Sequence, residues 1–268
     1  MPEARFGGTL CHWTEQGIGP PILMLHCMLA HGGAWRRVAE RLPEGRAVMP
    51  DLVGHGRSGP HDPARDLHDQ ATEMVRALAE RLADEAGGPV EVAGHSFGGT
   101  LALRLAVEAP HLVRALTLVE PVYFAAAAPE ARRAFEAGGG AFLRLFHEGE
   151  VEAALEMFLT DWGGPGAAAM PEPQRSYFRD RLGLVAMADV ATLADRPGVI
   201  DRLGKVRCPV LLVEGGNSPA IVSAIQDGLA ARLPQAERLL VAGAGHDVVR
   251  SHPQSLAAEM ARHHSSMV

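Results

Sequence analysis

The sequence predicts an α/β protein: a doubly wound, mostly parallel sheet carrying an inserted helical cap. Three observations predict it. Short apolar runs alternate with amphipathic stretches along most of the chain, the pattern of parallel strands joined by right-handed helical crossovers. A block from about Tyr123 to Arg202 breaks that alternation with helical segments and no convincing strand. Between strand and helix patterns lies the pentapeptide Gly94-His95-Ser96-Phe97-Gly98, a G-x-S-x-G sequence of the kind that sets a serine on a sharp strand-to-helix corner.

In chain order, Thr9–Trp13 and Ile22–His26 read as strands and Gly33–Leu42 as a helix. Ala47–Pro50 is a short strand. Ala64–Ala86 has apolar positions at helical spacing. Pro89–Ala93 leads into the pentapeptide, Thr100–Val107 continues as a helix to about Ala109, and Ala115–Val119 is the next strand. After the break, Val210–Glu214 is a strand, Ala220–Leu233 a helix, Arg238–Val241 a strand and Pro253–His264 a final helix. The core is therefore expected over 1–122 and 203–268, and the cap over 123–202.

Within the cap, helices are expected at Pro129–Phe146, Val151–Trp162, Pro171–Leu182 and Leu184–Ala194. Gly138–Gly140, Gly163–Gly166 and Pro197 should punctuate them. A linker would be more polar, and Phe142, Leu145, Phe146, Leu155, Phe158, Leu159 and Trp162 need something to pack on. Because the block leaves the sheet at a strand's carboxyl end, it should overhang the crevice where ligands bind in such sheets.

The bulk numbers narrow the function. With 268 residues the chain can bury a large core. A net charge of −7, without a run of Lys or Arg, argues against a nucleic-acid partner. No apolar run reaches the roughly 18 residues of a membrane span, and the first residues lack the charged-then-apolar order of a signal peptide. Cys11, Cys27 and Cys208 form no even framework, so free thiols in a reducing, cytoplasmic setting are expected. No metal or cofactor is expected. His55, His61, Asp62, Asp66 and His68 fit no ligand spacing and read as a solvated loop and helix start.

Ser96 is the expected nucleophile. Its glycine neighbours allow a turn too tight for a Cβ, and the helix behind it favours developing negative charge. His246, in the glycine-rich loop Val241–Asp247 after the last strand, lies where an imidazole can take the serine proton. His95 should face helix packing, and His263 and His264 a frayed terminus. Glu120 closes the strand beside the nucleophile strand, about 4.8 Å away, held extended by Pro121. It either orients His246 or pairs with an arginine of the cap. Glu214, Asp195 and Asp247 are the alternative acids.

Four landmarks in order make the chain resemble the α/β-hydrolase superfamily, in the lidded group of small esterases, carbon–carbon bond hydrolases and haloalkane dehalogenases. They are Leu25-His26-Cys27-Met28 with Trp35 downstream, Asp51–Ser58, the G-x-S-x-G pentapeptide, and Gly245-His246 with Pro253. The resemblance implies the α/β-hydrolase fold and a Ser96–His246–Glu120 triad. Most of that superfamily carries the acid after the strand that follows the cap, where this chain has Asn217 and Ser218; some haloalkane dehalogenases carry it at the Glu120 position. Dehalogenase chemistry itself uses a carboxylate at the elbow, so Ser96 excludes it.

The same resemblance implies an oxyanion hole from the N–H groups of Phe97 and Met28, with Cys27 standing in the usual glycine's place. The pocket should be lined by Met28, Leu29, His31, Trp35, Phe97, Tyr123, Phe124 and apolar cap residues. A small, largely apolar ester is the expected substrate. A ring-cleavage product cut at a carbon–carbon bond, and a non-catalytic small-molecule receptor, are the alternatives. A homodimer is left open.

Overall fold

The computed structural model describes residues 2–162, 166 and 169–265. Eight strands form one sheet: β1 (Glu3–Phe6), β2 (Thr9–Ile18), β3 (Pro21–Leu25), β4 (Gly45–Pro50), β5 (Val90–His95), β6 (Val113–Val119), β7 (Val210–Gly215) and β8 (Ala236–Val241). Their order is β1-β2-β4-β3-β5-β6-β7-β8. The first two are antiparallel additions, and β4 through β8 pair in parallel with their neighbours from β3 onward. The sequence pattern missed β1 and shortened β2. Both lie near one edge of the sheet, where part of the surface meets water and the apolar signal is diluted.

The central strands are apolar on both faces because both faces are covered. In β3, Leu23 and Leu25 join one core cluster with Val92, Leu116 and Leu212, while Ile22 and Met24 join the opposite one with Ala93, Val119 and Leu211. This two-residue alternation is the strand period. Helices α2 (Leu67–Ala86), α3 (Phe97–Glu108) and α8 (Ala220–Ala230) belong to the first face. Helices α1 (Arg36–Ala39), α9 (Val248–Ser251) and α10 (Pro253–Ser265) belong to the second. Asp66 caps α2, its side chain accepting from the Asp69 N–H, and Gly87 ends it at φ 70°. The expected helix over Gly33–Leu42 is a 3₁₀ turn, Gly32–Trp35, followed by the single turn of α1.

Between β6 and β7 the chain forms α4 (Pro129–His147), α5 (Val151–Asp161), α6 (Glu172–Arg179) and α7 (Leu182–Leu193). Gly138–Gly140 do not interrupt α4. Each interior glycine costs about 1 kcal/mol relative to alanine, and packing of Phe135 and Phe142 on either side outweighs it. The expected punctuation at Gly163–Pro165 lies outside the described residues. The helices share a core of their own, with Phe142, Leu155, Leu159, Leu182 and Val185 packed around Leu29.

Side chains tie this insertion to the sheet. The Tyr177 hydroxyl donates to Ala30 O at 3.1 Å and accepts from the Gly56 N–H at 3.0 Å. Arg181 lies 3.6 Å over the Tyr177 ring and donates to Gly54 O. At the other end, the Tyr123 hydroxyl donates to Asp195. Among the described residues, no helix is long and apolar enough to cross a membrane.

Candidate active site

Parallel register puts the ends of β3, β5, β6, β7 and β8 at one edge. Gly94 is level with Leu25 and Leu118, Val119 with Val213, and Val213 with Leu239. Neighbours of β3 leave in opposite directions here, which opens the crevice used by such sheets.

Ser96 stands on the corner between β5 and α3 at φ 53°, ψ −117°, a conformation that a non-glycine residue holds only when its surroundings enforce it. The flanking glycines are required by contact. A Cβ on Gly94 would run into the Gly98 carbonyl, and one on Gly98 into the carbonyls of Leu25 and His26. The Ser96 N–H donates to Val119 O at 2.9 Å, which locks the turn to β6.

Three side chains then line up. His246 Nε2 is 3.0 Å from Ser96 Oγ, and His246 Nδ1 is 2.5 Å from Glu120 Oε2. Nδ1 faces a carboxylate oxygen and carries the ring proton, so Nε2 is the acceptor and the Ser96 hydroxyl donates to it. Glu120 is fully buried. Its other oxygen accepts from the Gly215 N–H at 2.6 Å and from the Ser218 hydroxyl. Its backbone, at φ 46°, is pinned by its own N–H donating to Val213 O. Among the described residues its carboxylate partners are Gly215, Ser218 and His246, and no arginine of the insertion is one of them.

The other acids face elsewhere. Glu214 pairs with Arg238, and Asp195 accepts from Tyr123 and from the N–H groups of Val199 and Ile200. Asp247 lies 3.6 Å from Arg250, and burial raises its carboxyl above the usual range. Asn217 hydrogen-bonds Gly243 O, away from the imidazole.

His95 is buried beneath the site, where its Nε2–H donates to the carbonyl of His246 at 2.8 Å. It therefore steadies the loop that bears His246, not the helix packing expected for it. Burial, followed by the neighbouring His246 charge, lowers its pKa to about 3. Nothing local in the sequence signals this bond, which spans 151 positions.

The loop after β3 is built on two more buried histidines. His26 Nδ1–H donates to Cys27 O, and its Nε2 accepts from the Leu52 N–H. His55 donates to Val53 O and accepts from the Leu29 N–H at 3.2 Å. Burial lowers the pKa of both, that of His55 to about 4. The positive φ of this loop falls on Leu29, at 61°, and not on Cys27, so replacing the usual glycine by Cys27 does not divert the chain. Burial pushes the Cys27 thiol up to about 12, which removes it as a thiolate nucleophile.

His55 and His68 are thus buried, where a solvated loop and helix start was expected; Asp66 fits that expectation as the α2 cap. Among the described residues no three or more His, Cys, Asp or Glu side chains are clustered so that they could hold a metal ion. His263 is also buried, docked by α10, and is not part of a frayed end.

A cavity of about 810 Å³ opens above Ser96, and a slot of about 30 Å³ lies beside it. Met28, Leu29 and His31 line the large cavity, and Met28, Phe97 and Phe124 line the slot. Two expected pocket residues lie elsewhere. Trp35 is fully buried on the opposite face of the sheet among Met24, Val38 and Val249. Tyr123 is buried against His68 and bonded to Asp195. Sequence reasoning placed both by proximity along the chain, and the direction of the side chain decided otherwise. From the insertion, Trp162 reaches to 4.4 Å from the His246 ring, a contact with no sequence signal beyond an apolar residue in a helix.

Residues 22–259 match the model of the alpha/beta hydrolase family. The chain belongs to this family, and it is a hydrolase. It is 31% identical to the lipase LipV of Mycobacterium tuberculosis over 249 residues, 88% of this chain and 90% of that protein. It is 31% identical to a pimeloyl-[acyl-carrier protein] methyl ester esterase of Nitrosomonas europaea, covering 92% of this chain and 96% of the other. The solved structure of a thermophilic esterase from Thermogutta terrifontis superposes with a TM-score of 0.72 at 20% identity, covering 100% of this chain and 99% of that one. At that identity the match speaks for the fold alone.

Proposed function

We propose that this hydrolase cleaves a small, largely apolar carboxylic ester through an acyl-enzyme on Ser96. Residues 123–202 serve as the cap over a core of 1–122 and 203–268. The observation that carries the reading is the unbroken row Ser96–His246–Glu120, at 3.0 and 2.5 Å, opening on a mainly apolar cavity. The relatives named as a lipase and a methyl ester esterase support ester hydrolysis in general.

In this mechanism Ser96 Oγ attacks the ester carbonyl while His246 Nε2 takes its proton. The imidazolium is stabilised by Glu120, which also holds the ring in the tautomer with Nε2 bare. Charge on the carbonyl oxygen is met by the N–H groups of Phe97, at the start of α3, and Met28; each such donor contributes about 10²–10³ in rate. His246 returns the proton to the leaving alcohol; a water, deprotonated by the same Nε2, then attacks the acyl-enzyme carbonyl, the Ser96 Oγ–acyl bond breaks, and the acid leaves as Ser96 regains its proton.

The test is hydrolysis of p-nitrophenyl acetate by the parent and by Ser96→Ala, together with labelling by a fluorophosphonate. The parent should turn over the ester and take the label on Ser96. The variant should fold normally and lose the activity by about 10⁴-fold or more. Retention of most of the activity in Ser96→Ala would refute the mechanism.

A further inference from the structure

The large cavity and the slot share one wall. Met28, Ser96, Phe158, Trp162 and His246 line both. The reacting serine and histidine therefore stand on a ridge between a space of about 810 Å³ and one of about 30 Å³. By the same measure a water-sized group needs roughly 10–15 Å³, so the slot accepts only two or three non-hydrogen atoms. Beyond the ridge it is closed by Val122, Phe124, Val185, Ala188 and Thr192, an almost wholly apolar floor.

Trp162 is, with Phe158, the part of the ridge that the insertion supplies. It ends α5 and belongs to a row of rings running up from the core. Phe124 stacks on Phe135 at 4.8 Å, Phe135 meets Trp162 at 6.2 Å, and Trp162 meets His246 at 4.4 Å. The indole is thus braced by Phe135, which is itself seated on the buried Phe124, and it cannot recede from the ridge without breaking these contacts.

We propose that Trp162 is a specificity-determining residue that sorts the two halves of the substrate, so that the preferred ester carries a short, unbranched apolar chain of about two or three carbons on one side of its carbonyl group and its bulk on the other. The proposal deepens, and rests on, the reading of Ser96 as an ester-cleaving nucleophile. An acyl chain entering the slot gains about fourfold in binding for each methylene buried until it meets the floor of α7 and Phe124. Beyond that length the chain would have to displace Trp162 or leave the slot.

The p-nitrophenyl group is too large for the slot, so esters of that alcohol read the slot through their acyl chains. The experiment measures kcat/KM on p-nitrophenyl acetate, butanoate and octanoate for the parent, Trp162→Ala and Ala188→Leu. In the parent, octanoate should be at least tenfold poorer than butanoate. Trp162→Ala should raise the octanoate-to-acetate ratio at least tenfold, whatever it does to the absolute rate.

Ala188→Leu fills the slot from α7, away from the reacting groups. It should lower the butanoate-to-acetate ratio about tenfold. A chain-length profile that is flat in the parent overturns the proposal. So does a Trp162→Ala variant that slows all three esters by one common factor, since Trp162 would then only position His246. An unchanged butanoate-to-acetate ratio in Ala188→Leu overturns it as well, independently of how Trp162→Ala folds. Failure to turn over any of the three esters overturns the reading of Ser96 itself, and is distinct from turnover with a flat profile.

Discussion

At the sheet edge, the parts of the site are positioned by backbone; in the helices laid over it, they are positioned by side chains. Ser96 and Glu120 both sit at positive φ, and each is pinned by its own N–H to the neighbouring strand, at Val119 O and Val213 O. Trp162 and Tyr177 have no such tether to the sheet. They are placed by ring contacts and by a hydroxyl that bridges Ala30 and Gly56. Backbone pinning fixes a side chain's root to a fraction of an ångström, which proton transfer needs. Packing by side chains permits residues to be exchanged at modest cost, which suits the selection of substrates.

If that contrast is right, substitutions at the edge should act on turnover and those above it on substrate choice. The largest effect is expected at Glu120. Glu120→Gln keeps the shape and the bonds to Gly215 and Ser218 but removes the charge beside the imidazolium. Loss of a triad acid can lower kcat by about four orders of magnitude. Here about 10- to 1000-fold is expected, because polar groups of the Gly215–Ser218 turn and water can still hold the ring. The Ser218 hydroxyl already touches the Glu120 carboxylate. Adding Ser218→Asp to Glu120→Gln should therefore restore part of kcat. A Glu120→Gln variant with parental kcat would break the contrast at its centre.

Acid should find the core before the insertion. Burial lowers the pKa of His55 and His68 to about 4 and of His95 to about 3, and it lowers His26 too. In the unfolded chain each titrates near about 6.5. Below that pH the unfolded state binds protons that the folded state refuses, so stability is complete above about 6.5 and declines as the pH falls toward 4. Each histidine accounts for roughly 1–2 kcal/mol by pH 5. Urea midpoints measured from pH 8 to 4.5 should be level and then fall. In His68→Gln, which can keep the bond to Thr100, the fall should be shallower. A midpoint independent of pH across this range would contradict the neutral, buried assignment.

The smallest effect is expected at the tether above the edge. Tyr177→Phe removes one part-buried and one exposed hydrogen bond, the first worth about 0.5–1.5 kcal/mol and the second less. KM should rise by a few-fold with kcat nearly unchanged. A fall in kcat comparable with that of Glu120→Gln would show that the helices share in positioning the reacting groups.

The sequence by itself determined the alternation of strands and helices, the place of the insertion, and the local geometry of the Ser96 turn. These are short-range properties: strand and helix periods, and glycines where a Cβ would strike a carbonyl. That His246 and Glu120 come together with Ser96 was legible too, since the order of elements along a parallel sheet dictates which loops meet at one edge. Tertiary structure alone decided which way side chains turn and what they meet. It sent Trp35 to the far face of the sheet and Tyr123 to Asp195, and buried His55, His68 and His263. It also brought Trp162 onto His246, and set His95 under a carbonyl 151 residues away. Such contacts depend on how two packed surfaces interlock, and no repeating pattern along the chain records that.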